Sequence, residues 1–297
     1  MSTAEPTRSR AATEEKSGAR RDRERPPAPE PLPHPVVDNH CHLDIADGDW
    51  LPTETAIAGA AAVGVPRIVQ IGCDLPGARW AVAAAAEHDA LVAGVALHPN
   101  EAPRLAATGD LDAALEEIER LATAHDKVRA IGETGLDHFR TGQDGRAAQE
   151  ESFRRHIDLA KRLDKTLVIH DRDAHEDVLR ILDEEGAPER WVMHCFSGDE
   201  AFARRCLERG AHLSFAGTVT FKNAAPLRNA LAVTPRERIL VETDAPFLTP
   251  TPYRGRPNAS YLVPVTMRAM AQVLHADLEE LCRAVEANTE TAFGGSW

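Results

Sequence analysis

The sequence predicts an α/β chain: a single-domain (β/α)8 barrel with a disordered N-terminal tail. Three observations carry that prediction. Strand-length apolar runs alternate with helical segments from Val36 onward. There are eight such runs, more than an open doubly wound sheet usually holds. The 297 residues also suffice for one barrel, which takes roughly 250.

Residues 1–34 stand apart, being rich in Ser, Thr, Pro, Ala and mixed charge with almost no branched aliphatics. Such a composition buries too little apolar surface to offset ordering, so a solvated tail, dispensable for folding and turnover, is expected. It has no apolar core of the kind a secretory signal needs, and its Arg20, Arg21, Arg23 and Arg25 read as solvated charge. The barrel is expected over 35–297. Its strands fall at 36–40, 67–72, 91–97, 128–133, 166–170, 191–195, 211–216 and 239–243. Helices are expected between them at 53–64, 76–88, 110–125, 147–164, 172–186, 199–209 and 223–233, with two more at 259–275 and 277–293. Pro52, Pro76 and Pro226 fit first helical turns, and Gly186 and Gly210 follow helix ends.

Composition narrows the function. The net charge of −13 repels a phosphate backbone at long range, so any nucleic-acid contact is expected to be local, without a stable nucleic-acid complex. At 5% aromatic residues the chain has few rings for a base-stacking coat. Cys41, Cys73, Cys195, Cys206 and Cys282 form no CxxC pair, as in a reduced cytoplasmic protein. No stretch approaches the ~20 apolar residues of a membrane helix, so no membrane partner is expected. A monomer or weak oligomer is expected.

The C-terminal ends of parallel barrel strands face the active-site loops. Metal-ligand residues collect there: His40 and His42 in VVDNHCHLD, Glu133 in VRAIGETGLD, His170 in TLVIHDRD, His194 in WVMHCFSG and Asp244 in ILVETDAP. Four imidazoles and two carboxylates suit one or two divalent ions, Zn²⁺, Mn²⁺ or Co²⁺, with Mg²⁺ less favoured by the imidazoles. Residues two apart on a strand share a face, so His40 and His42 can bind one ion, and Asp38 can orient an imidazole behind them. Glu133 can bridge two cations. Asp244 suits a ligand that also takes a proton from water. By the same alternation Cys41, Cys195 and Glu242 should turn away from the site. His98 fits a substrate contact and a turn cap equally well. Of thirteen histidines, His40, His42, His98, His170 and His194 lie at expected strand ends, a sorting that structural histidines have no reason to show.

From about Val37 to Phe293 the chain resembles the TatD family of metal-dependent deoxyribonucleases, within the amidohydrolase superfamily. The resemblance rests on HCHLD (40–44), GVALHP (94–99), GETGLD (132–137), IHDRDA (169–174), HCFSG (194–198), GTVTFKNA (217–224), ETDAPFL (242–248), YRGRPN (253–258) and NTETAF (288–293). It implies a TIM barrel with a divalent-metal site of His40, His42, Glu133, His170, His194 and Asp244. It further implies that Glu133 bridges the ions and that Asp244 is both ligand and base. The chain departs from the pattern at His138, where the family usually carries Tyr or Phe, and at Ala259-Ser260, where Glu-Pro usually follows the Asn. The expected activity is phosphodiester cleavage of DNA from an end, with His98, Arg140, Arg172, Lys222 and Arg254 as candidate phosphate contacts. The alternatives are a hydrolase of a small amide or ester and a non-catalytic metal-binding scaffold.

Overall fold

A computed structural model of the chain describes residues 3–13, 18 and 20–294. Its barrel strands are β1 (Val37–Cys41), β2 (Arg67–Gly72), β3 (Leu91–Val95), β4 (Val128–Asp137), β5 (Thr166–Arg172), β6 (Trp191–Met193), β7 (His212–Phe215) and β8 (Ile239–Val241). Each pairs in parallel with the next in chain order. Both faces of these strands are covered, which is why they read as unbroken Val/Ile/Leu runs. The β8–β1 seam is closed by Asn39 Nδ2 donating to Val241 O at 2.9 Å, and by Asp244 N and His42 N donating to His40 O and Ala245 O at 2.9 and 2.7 Å.

Val37, Val69, Val92, Ala130, Val168, Val192 and Leu240 fill the barrel interior, and Ala292 and Phe293 pack against them. Those two belong to the last helix, α10, in the outer layer: α1 (Thr53–Ala61), α2 (Leu75–Glu87), α3 (Glu101–Thr108), α4 (Leu111–Ala122), α5 (Gln143–Arg162), α6 (His175–Glu185), α7 (Glu200–Glu208), α8 (Ala225–Val233), α9 (Val263–Leu274) and α10 (Leu278–Phe293). Asp74, Asp199 and Asp277 cap α2, α7 and α10 by accepting from Gly77, Phe202 and Glu280 N–H groups. The unexpected α3 is short and holds Pro103 in its first turn, where proline costs little.

Two irregularities matter for the site. The β1–β2 register shifts between Asp38 and Cys41, and the β4–β5 register shifts between Ile131 and Thr134. Bulges of this kind re-aim side chains, and both sit where metal-ligand residues were expected. Strand β4 therefore does not end at Glu133. It runs on to Asp137 against an equally extended β5, which delays α6 to His175. Gly135 makes that extension possible, because a Cβ there would lie 2.1 Å from His170 O at a φ of +136°.

Of the expected tail, Met1, Ser2, 14–17 and 19 lie outside the described residues, as do 295–297. The described part runs along the barrel. Arg8–Ser9 forms a short strand parallel to Ile45–Ala46, flanked by Thr7 N and Arg10 N donating to Asp44 O and Ala46 O, each at 2.8 Å. Trp80 Nε1 donates to Glu5 O at 3.2 Å and Tyr261 Oη to Pro26 O at 2.7 Å. Buried Asp47 receives Arg21 through both terminal nitrogens at 2.6 Å and Arg10 at 3.0 Å. Main-chain and ionic contacts hold the segment: Arg21 is enclosed on Asp47 rather than solvated, and Leu32 joins the apolar core.

Candidate metal centre

The strand ends converge on Glu133. Its Oε2 lies 3.5 Å from His40 Nε2 and 3.9 Å from His42 Nε2. Its Oε1 lies 2.6 Å from His170 Nδ1, 3.2 Å from His194 Nε2 and 3.6 Å from His98 Nε2. The carboxylate thus parts the imidazoles into two groups, one per oxygen. Asp244 joins the first group, with Oδ1 3.3 Å from His42 Nε2 and 4.0 Å from His40 Nε2. The His40 and His194 rings stack at 3.6 Å between centroids and tie the two groups together.

Fixed contacts orient each side chain. His42 Nδ1 donates to Ile71 O at 2.9 Å, which leaves Nε2 facing Glu133 and Asp244 and able to act as a ligand. His194 Nδ1 lies 2.9 Å from Glu242 Oε1, a carboxylate that also accepts from Cys195 N. Asp244 sits in left-handed backbone at φ 54°, a region Asp tolerates better than most residues. Its loop is pinned by Asn258 Nδ2, which donates to Thr243 O and Phe247 O at 2.9 and 2.6 Å.

Several placements differ from the alternation argument. Asp38 does not touch an imidazole; it accepts from Thr243 N at 2.8 Å and from Thr243 Oγ1 at 2.5 Å, because the β1 bulge turns it toward the seam. Glu242 is buried against the site rather than turned away, and Cys195 lines the cavity. Cys41 packs in the core as expected of a small hydrophobe. Cys73, overlooked in the sequence, donates from Sγ to Glu133 Oε2 at 3.3 Å. Its position just past β2 was the available signal, matching that of His98 past β3.

Burial opposes charge throughout, yet carboxylates win for most of the ring. Desolvation alone would raise Glu133, but His194, His98 and His170 hold it well below the usual carboxylate range. Burial likewise works against His170, which hydrogen bonds to Asp137 and Glu133 nevertheless lift to about 9. His194 is lifted well above the ordinary range by Glu242 and Glu133 against its desolvation. His40 goes down, from burial and the neighbouring His194. Burial pushes His98 down to about 3. Asp244 is lowered despite burial, by His42 and His194.

The residues fit a divalent ion. Within the described residues His40, His42 and Glu133 place one ligand atom each within 4.8 Å of one another, and so do His98, Glu133 and His170. Both His40 nitrogens are buried with no hydrogen-bond partner among the described residues. Native interiors rarely leave such groups unsatisfied, and a cation at the ring's centre would satisfy one of them.

The ring opens into a cavity of about 700 Å³, also lined by His98, Arg140 and Arg172. That size accommodates a nucleotide-sized ligand. Lys222 and Arg254 are exposed and do not line it; the Arg254 guanidinium lies over the Phe221 ring at 4.3 Å. No helix among the described residues is long and apolar enough to cross a membrane.

A parallel barrel with imidazoles and carboxylates gathered at one mouth defines a metal-dependent hydrolase. The family model described as TatD related DNase matches residues 37–294, and the chain belongs to that family. An uncharacterized metal-dependent hydrolase, TatD, of Mycobacterium tuberculosis is 45% identical over 267 residues, covering 88% of this chain and 99% of the relative. The uncharacterized metal-dependent hydrolase YabD of Bacillus subtilis is 38% identical, covering 87% and 98%. The crystal structure of YJJV, a TatD homolog from Escherichia coli, superposes with a TM-score of 0.78 at 28% identity, covering 87% and 97%.

Proposed function

We propose that this hydrolase cleaves phosphodiester bonds of DNA, working from an end. The observation that carries the reading is the division of the ring by Glu133, whose two oxygens face separate imidazole groups. Two sites sharing one carboxylate suit the two-sided clamp that phosphodiester hydrolysis favours. His40, His42 and Asp244 would hold an ion with Oε2, and His170 and His194 a second with Oε1. Bound divalent ions supply Lewis acidity and lower the pKa of a coordinated water toward ~7.

The chain's own groups do the rest. Asp244, kept ionised by its imidazole neighbours, accepts a proton from the attacking water. Arg140 and Arg172 at the cavity wall neutralise phosphate oxygens. His98, held neutral by burial, accepts from Asn100 N through Nδ1 at 3.1 Å and so presents an N–H at Nε2. The half-exposed Phe139, with Arg172 over its ring at 3.8 Å, offers a surface on which a terminal base can stack. DNA is engaged as substrate and released.

The test strips the metal, restores Zn²⁺, Mn²⁺, Mg²⁺ or Co²⁺ singly, and follows end-labelled DNA beside a panel of small amides and esters. Progressive shortening of DNA is expected, and turnover confined to amides or esters would overturn the reading. In a metal-replete Asp244→Asn protein, kcat should fall at least ~10²-fold, the usual size of a general-base effect. A near-normal kcat would move the base elsewhere.

A further inference from the structure

Two further cationic side chains line the same cavity, Arg8 and Arg10, and both come from the segment that precedes the family's barrel. They reach the mouth because Arg8–Ser9 is a strand laid against Ile45–Ala46. On a strand, alternate side chains share a face, so Arg8 and Arg10 point the same way with Ser9 opposite. Arg10 is placed by buried Asp47, by Pro246 O at 2.9 Å and by the Phe247 ring, 4.7 Å beneath its guanidinium. Arg8 leans on Asp74 at 3.4 Å. Among the described residues the hydrogen bonds of both guanidiniums leave from one terminal nitrogen, so the other N–H groups remain for an incoming anion.

We infer that Arg8 and Arg10 form an anion subsite, a wall the N-terminal segment adds to the barrel, which selects substrates bearing a phosphate beyond the bond that is cut. The inference rests on the phosphodiesterase reading above. It specifies a phosphorylated oligonucleotide end as the preferred substrate class. The wall is placed for this, since Arg140 and Arg172 already flank the cavity that holds Glu133 and Asp244. A phosphate there meets a planar guanidinium fork, the geometry that fits it best. In a chain of net charge −13, two added cations at the mouth also draw a polyanion to the one place where it can react.

The experiment uses the full-length, metal-loaded protein and thymidine dinucleotides carrying a phosphate on the 5′ end, the 3′ end or neither. Wild type should cleave one phosphorylated form with a higher kcat/KM than the unphosphorylated one. Arg8→Gln/Arg10→Gln should shrink that advantage about tenfold, the effect of roughly one charge-assisted hydrogen bond. Arg8→Lys/Arg10→Lys should restore part of it, which a folding defect would not do. An undiminished advantage in the Gln pair overturns the inference. If wild type cleaves none of the three, the phosphodiesterase reading fails, and equilibrium binding then decides the subsite separately. The phosphorylated dinucleotide should bind the Gln pair about tenfold more weakly than wild type, the effect of roughly one charge-assisted hydrogen bond, while the unphosphorylated one binds both alike. An unchanged ratio also overturns the subsite.

Discussion

Two sets of buried histidines share this barrel and behave in opposite ways. His156 on α5 and His212 at the start of β7 are packed in the protein body, 0% and 2% exposed. His156 Nε2 accepts from Leu97 N at 3.2 Å while Nδ1 donates to Ser152 O at 2.7 Å, an arrangement only the neutral ring can make. Burial pushes both His156 and His212 down to about 4. In the ring, His194 is buried and His170 partly so, yet both are driven upward by Glu133 and its companions. Burial alone therefore makes a neutral core imidazole. Convergent carboxylates favour the charged form of His170 and His194 instead, the electrostatics that suit a cation.

The largest expected effect comes from removing the feature that separates the two sets. Glu133→Ala deletes the carboxylate common to both halves of the ring, so bound metal by elemental analysis should drop far below that of His98→Ala. Equal metal content in the two variants would break the distinction. Next is acid sensitivity of the core set. As pH falls below the ordinary histidine value of 6.5, the unfolded chain takes up protons that folded His156 refuses until about 4. Its stabilisation is complete above pH 6.5 and is lost toward pH 4, by about 3 kcal/mol at most for this residue. Urea midpoints measured at half-unit pH steps should show the decline. The smallest effect is expected for His156→Gln. An amide can still pair with Leu97 N–H and Ser152 O, so the cost at pH 7.5 should be about 1 kcal/mol. The variant should flatten the acid decline. A curve parallel to wild type would mean that other groups set the acid limb.

The N-terminal segment was the hardest part to read. Its composition offers few apolar residues, and of these Leu32 is buried in the barrel's own core. What holds it is Thr7, Arg8 and Arg10 main chain on the Asp44–Ala46 edge, and the paired arginines on Asp47. Main-chain pairing leaves no mark in side-chain chemistry, and Asp47 offered no sequence reason to seek a partner more than twenty residues away.

The order of the strands, the parallel barrel and the set of residues carried to one mouth were determined by the sequence itself. Strands covered on both faces must be apolar throughout, so a lone His, Glu or Asp beside such a run stands out against it. Which way those side chains turn was decided only by the tertiary structure. Register shifts beside Asp38 and Glu133 override the two-residue alternation, send Asp38 to Thr243 and carry β4 past Glu133. Glu242 and Cys73 enter the site because neighbouring strands bring them there, and Arg8 and Arg10 because a distant edge accepts their backbone. Local pattern records what a strand buries. It does not record the partner against which a bulge or an extra strand is set, because that choice is made by long-range pairing.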